Sequence, residues 1–306
     1  MYSALIAVMA AAILGGAQRD AAVVSMPQEG TESPTVLKDV EVRAGELQTR
    51  AENFVASVAA PPRNMTLGRW SEEVCIGVAN ATPEAAQYVI DRVSSLALDL
   101  GLRIGQPGCR ADIMIVFADD ASAVAQKLVR ENPQGFRPPG VLATLSEPAL
   151  EAFQVRERPV RWWNVSLPVE ADTGNSPVVM TVGEHGSGFE VPILHVRSMS
   201  RLRSGLRNDL KRSVVIVDAS RLEGRSLASV TDYVALVALA QVNPDVDVTG
   251  QDSILTLFDE RSAADRLTEW DMSYLRALYS VDRDRRNPSH EQREIGREMV
   301  LSYAGR

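Results

Sequence analysis

The stretch LASVTDYVALVALAQ (227–241) constrains this chain more than any other. Val230, Tyr233, Val234, Leu236, Val237, Leu239 and Ala240 fall nearly all round a helix, and Ser226 stands at the N-cap position. A helix without a polar face must be covered on most sides, which places it at the centre of a folded domain. Asp232 is its one interior charged residue, and Gln241 sits at its end. These two positions interrupt the run well short of the ~20 apolar residues that span a bilayer.

Around that helix the pattern alternates between strand and helix. WSEEVCIGVA (70–79) reads as a strand. Thr82, Pro83 and Glu84 then supply an N-cap, a proline at the first helical position and an early acidic residue. The helix over 83–100 that follows ends at Gly101. DIMIVF (112–117) and SVVIVD (213–218) are short apolar runs of the kind buried on both faces of a sheet. Asp119-Asp120 caps a helix running to about Asn132, and residues 133–159, rich in Pro and Gly, read as a surface loop. Strands are expected at 159–167 and 190–196, with a polar Gly-rich hairpin between them. Helical segments follow at 253–258, 267–279 and 289–303. The order β-α-β-α, then strands, then mostly helices, gives an α+β class: a mixed sheet packed against helices, with a C-terminal helical portion.

The N-terminus points to export. Residues 2–17 form one uncharged apolar run ending in Gly15-Gly16-Ala17, so 1–17 reads as a signal peptide cleaved after Ala17, with an uncleaved anchor or a buried helix as alternatives. Residues 18–66 read as a flexible tether with a short helix, in which Leu47, Phe54, Val55 and Val58 keep helical spacing, and 67–306 as one domain. The two cysteines, Cys75 and Cys109, form no Cys-x-x-C motif and no Cys/His cluster. In an oxidising compartment they would close one disulfide loop of about 35 residues, stabilising the fold by about 4 kcal/mol; the alternative is a pair of buried thiols. The net charge of −8, with three lysines among 32 basic residues, offers no overall positive field for nucleic acid.

Catalytic signatures are sparse. The sequence has no Gly-Lys dipeptide, hence no phosphate loop, no G-x-G-x-x-G and no G-x-S-x-G elbow. His185 and Ser187 share a Gly-rich turn that reads as a solvated tip, and three scattered histidines cannot by themselves build a zinc site. Asp245, Asp247 and Asp252 have part of a calcium-loop pattern but fail its spacing, so a polar loop is the plainer reading. Arg161-Trp162-Trp163 suggests a strand with one tryptophan on each face, with an aromatic recognition strip as the rival.

The C-terminal third carries a resemblance. SILTLF (253–258), LTEWDMSYLRALYS (267–280) and CRADIMIVFADD (109–120) resemble motifs of a zincin-like family of uncharacterised secreted bacterial proteins, a domain of unknown function related to the metallopeptidases. The likeness covers roughly residues 70–280, with Ala111-Asp112 in place of that family's Pro-Asn pair. It implies a zincin-like fold in which the central helix carries the site. There the family has Glu-Glu-x-x-Gln, and the matching positions here are Val237, Ala238 and Gln241. Valine and alanine have no lone pair to give a metal and cannot act as a base, so the resemblance implies a degenerate member lacking the metal motif, with no cofactor. The expected function is therefore an exported envelope protein, a non-catalytic binding or structural module with an envelope protein or a small ligand as partner. The rival is a hydrolase with a non-standard site drawn from Asp232, Gln241, His195, Asp252 and Asp271.

Overall fold

The computed structural model describes residues 35–62, 64–138, 145–176, 178–182, 189–193, 203–222, 224–260, 262–285 and 287–305. By its contacts the chain divides into residues up to Glu41 and a unit from Val42 to Arg306. The elements begin with α1 (Thr35–Val58), β1 (Glu73–Val74), β2 (Ile76–Ala79), α2 (Pro83–Asp99), β3 (Arg103–Ile104) and β4 (Ile113–Ala118). Next come α3 (Ala121–Glu131), α4 (Pro133–Phe136), α5 (Glu147–Val155), β5 (Val160–Glu170), β6 (Val178–Val182), β7 (Phe189–Ile193) and β8 (Leu206–Asp218). The C-terminal part holds α6 (Leu227–Leu239), α7 (Glu269–Ser280) and α8 (Pro288–Ala304).

The centre is a four-stranded mixed sheet in the order β2-β4-β8-β5. β2, β4 and β8 run parallel, and β5 closes the edge antiparallel to β8, with a register shift between Val165 and Ser166. The runs read at 112–117 and 213–218 and the 76–79 part of the run read at 74–79 therefore meet in one sheet, whereas Glu73–Val74 pairs with β3 in a separate two-stranded sheet; the class is α+β. Period-2 alternation decides which side each residue serves. Ile113, Ile115, Val215, Val217 and Trp162 join the large core under α1, α2, α6, α7 and α8. Val214, Ile216 and Trp163 join a smaller core under α3, α4 and α5. The adjacent tryptophans thus divide between the faces, each donating its indole N–H to a carbonyl, Trp162 to Val242 and Trp163 to Phe136.

Two expectations need correction. The short helix expected within the tether is α1, but it does not belong to a tether: its Ala51, Phe54, Val55 and Val58 are buried in the large core. Phe54 meets Trp270 and Tyr274 edge-on, and the Arg50 guanidinium lies 4.5 Å from the Trp270 ring centroid. The folded domain thus starts upstream of Leu67; local spacing could not reveal partners more than 200 residues away. The surface loop read at 133–159 instead contains α4 and α5, each with proline in its first turn and a side-chain N-cap, Asn132 and Ser146. Here proline opens helices and does not mark irregular chain. The apolar run 1–17 lies outside the described residues.

Local signals explain the ends of the main helices. Thr82 caps α2 and Asp120 caps α3, each accepting a backbone N–H three residues on. Gly101 takes a φ of +80° just past α2, the left-handed conformation that glycine adopts without steric cost. Cys75 and Cys109 are disulfide-bonded, with Cα atoms 6.0 Å apart, and tie the start of β2 to the turn before β4. Gly105 runs beside this bridge, where a Cβ would come within 2.6 Å of the Cys109 Sγ.

Candidate functional site

The end of α6 is where the resemblance would place chemistry. Val237 and Ala238 are fully buried and Gln241 is 2% exposed. The last four carbonyls of any helix lack intrahelical partners, and burial denies them water. Side chains from β5, from α7 and from the segment before β1 supply the donors. Asn164 Nδ2 donates to Val237 O at 3.2 Å and to Ala240 O at 3.0 Å. Trp70 Nε1 donates to Ala238 O at 2.9 Å, and Tyr279 OH to Leu239 O at 2.7 Å.

Gln241 is consumed in the same way. Its Oε1 accepts the Gly68 N–H at 2.7 Å and its Nε2 donates to Ser166 Oγ at 3.2 Å. A Cβ on Gly68 would stand 2.9 Å from Ser166 Cβ and 3.1 Å from Gln241 Oε1, so only glycine lets the backbone pass this close. This side chain is a strut between the 66–70 segment and β5.

Three carboxylate candidates converge on one turn. Asp232 forms a two-point ion pair with Arg92, Nε–Oδ1 at 2.6 Å and Nη2–Oδ2 at 3.2 Å, and accepts the Leu267 N–H at 3.0 Å. That pair holds Arg92 above its ordinary basicity. Asp271 makes a capping box with Thr268 and accepts from Ser253 Oγ at 2.6 Å and from the Ile254 N–H at 2.7 Å. Burial pushes its carboxyl up to about 6, against the pull of those donors. Asp252 contributes its backbone carbonyl, which accepts from Thr268 Oγ1. The two buried carboxylates thus pin consecutive backbone N–H groups, those of Leu267 and Thr268, where α7 begins. A wide cleft of about 870 Å³ opens beside this turn, with Asp252, Asp259, Arg50 and Arg266 around it.

The other candidates stay apart. Asp245 pairs with Arg156 and Arg158, while Asp247 accepts the Thr249 N–H, which holds its carboxyl below the usual range. Among the described residues no group of three His, Cys, Asp or Glu side chains is placed to hold a metal ion. His185, Ser187 and His195 lie outside the described residues, and His290 is exposed on α8.

Sequence reasoning missed a buried charge network. Arg69 and Glu291, both almost wholly buried, pair at 2.5 Å, and Glu291 also accepts the Leu67 N–H. Burial raises the Glu291 carboxyl while Arg69 opposes the shift. Nearby Asp209, fully buried, binds Ser71, Arg207 and Arg283. No local pattern marks Arg69, in LGRW, or Glu291, in the first turn of α8, as a buried pair.

Arg161 is also buried. Its Nη1 caps α5 by donating to Phe153 O and Gln154 O, and its Nη2 donates to Ser122 Oγ. Burial lowers its basicity, with the Asp218 charge acting against that through space. It lines a cavity of about 120 Å³ between α5 and the chain after α6, walled by Ala149, Ala152, Phe153 and Trp162, with Arg158 and Asp245 at the mouth. Comparison with known protein families, with curated proteins and with solved structures finds no match for this chain.

Proposed function

We propose that this chain is an exported protein of the cell envelope, periplasmic or secreted, that acts as a non-catalytic binding or structural module on a peptidase-like scaffold. The observation that carries this is the fate of Gln241, whose amide is spent on Gly68 and Ser166 beside fully buried Val237 and Ala238. The positions where a zincin would hold metal and base serve packing and internal hydrogen bonding. Asp232 and Asp271, which a rival hydrolase would need, each serve several internal donors. Export is supported by the apolar run at 2–17 and by the Cys75–Cys109 bridge, and among the described residues no helix is long and apolar enough to cross a membrane. The partner is an envelope protein or a small ligand, not nucleic acid, in keeping with the net charge of −8.

The test joins cell fractionation to elemental analysis. The full chain should be found outside the cytoplasm, carry far less than one zinc per molecule after dialysis, and show no chelator-sensitive proteolysis. Retention in the cytoplasm, or a chelator-sensitive peptidase lost in Gln241→Ala, overturns the reading.

A further inference from the structure

The cavity beside Arg161 combines features that select a ligand class. Its walls are Ala149, Ala152, Phe153 and Trp162, and its volume of about 120 Å³ suits one small ring or a short aliphatic chain. Arg161 is 2% exposed, its Nε–H has no partner among the described residues, and no described carboxylate lies within ion-pair distance of it. At the mouth Arg158 donates to Pro244 O and pairs with Asp245, which Arg156 also binds. Among the lining residues Arg158 and Arg161 set two guanidiniums against the one carboxylate of Asp245, which Arg156 shares from outside the cavity, so positive charge is in excess beside an apolar chamber. Asp218 and Asp120 answer part of it through space, but the Asp218 oxygens are taken by Ser220 and Arg221, and Asp120 caps α3. The open cleft beside Asp252 has no such enclosure and mixes both signs of charge.

We infer that this cavity is a binding site for a small organic carboxylate, its ring or chain against Phe153 and Trp162 and its carboxylate at the mouth with Arg158. Asp245 keeps Arg156 when Arg158 turns to the ligand, and the surface pair given up is weak, so the exchange is cheap. Arg161 acts from the wall as a fixed positive charge in a low-dielectric surround. Arg158 supplies the charge-assisted hydrogen bonds, and a bare cation or a neutral amide has no matching excess charge to meet. This rests on the non-catalytic binding reading and adds a site and a ligand class to it.

Calorimetric titration of the full chain with benzoate, and with benzyl alcohol as its uncharged counterpart, tests the assignment. Benzoate should saturate at one site, with the alcohol weaker by about tenfold or more. Arg158→Gln, a change at the mouth that leaves the core intact, should remove most of that preference without changing affinity for the alcohol. Ala152→Leu should abolish both by filling the cavity. Failure of benzoate to saturate at millimolar concentration, equal binding of the two probes, or unchanged benzoate binding in Ala152→Leu overturns the site. Such a failure in a chain that carries no zinc and no peptidase activity removes the site alone. Chelator-sensitive peptidase activity removes the binding reading, whatever benzoate does.

Discussion

The side-chain oxygen of Gln241 lies 2.7 Å from the backbone nitrogen of Gly68, 173 residues earlier in the chain. This one contact joins the end of the central helix to the segment that links α1 to the strands. It also occupies the atom that a metal-binding helix would present to solvent. Gln241→Leu should therefore strand a buried N–H and destabilise the protein by about 1–3 kcal/mol. Gly68→Ala should cost at least as much, because the new Cβ meets Ser166 at 2.9 Å. Urea denaturation of both variants measures this; a loss of less than a few tenths of a kcal/mol in either would show that the strut contributes little to stability.

Val237→Asp should act as a core defect. The site is fully enclosed, and an unpaired carboxylate there costs on the order of 4 kcal/mol or forces protonation. The expected readout is a large fall in melting temperature with no gain of zinc. A well-folded variant that acquires zinc would mean that the helix retains a usable metal geometry.

The disulfide should leave no titratable thiol in the unreduced, denatured protein. Replacing both cysteines by serine should lower stability by about 2–4 kcal/mol. Because Gly105 passes beside Cys109 Sγ, a bulky residue at 105 should impair oxidation as well as stability. Two reactive thiols in protein recovered from its native compartment would count against both the bridge and export.

Asp271 makes stability depend on pH in a definite sense. Its folded value, about 6, exceeds the ordinary 3.8, so the native state binds the proton more tightly than the unfolded chain does. Its favourable contribution is complete below about pH 4 and is lost as pH rises through 6, by about 3 kcal/mol. Asp271→Asn should be less stable than the parent, with a gap that narrows from pH 4 to pH 7. A gap that widens over that range would reverse the assignment.

What was legible followed from local rules. The parallel strands could be read because both of their faces are apolar, and α2, α3 and α6 because Thr82, Asp120 and Ser226 sit at their caps. The division of Trp162 and Trp163 between the two faces followed from period-2 alternation. What escaped depended on distant partners. Helix α1 is core only because Trp270 and Tyr274 receive Phe54, and Arg69 is buried only because Glu291 comes back to it from the last helix. The same holds for the candidate site. The loss of metal chemistry at Val237 and Ala238 was visible in residue type, whereas the cavity at Arg161 exists only once α5 is laid against the chain after α6.

The side-chain caps on the end of α6 also bear on the order in which the molecule is assembled. Trp70 reaches Ala238 across 168 residues and Asn164 reaches Ala240 across 76, whereas Tyr279 arrives from 40 residues downstream. A polypeptide made from its N-terminus has two of these donors waiting long before the helix they serve, and the third comes only after it. Its central helix therefore cannot be sealed until synthesis has passed Tyr279. Until then the most apolar stretch of the domain stays open to any chaperone that holds nascent or unfolded chains.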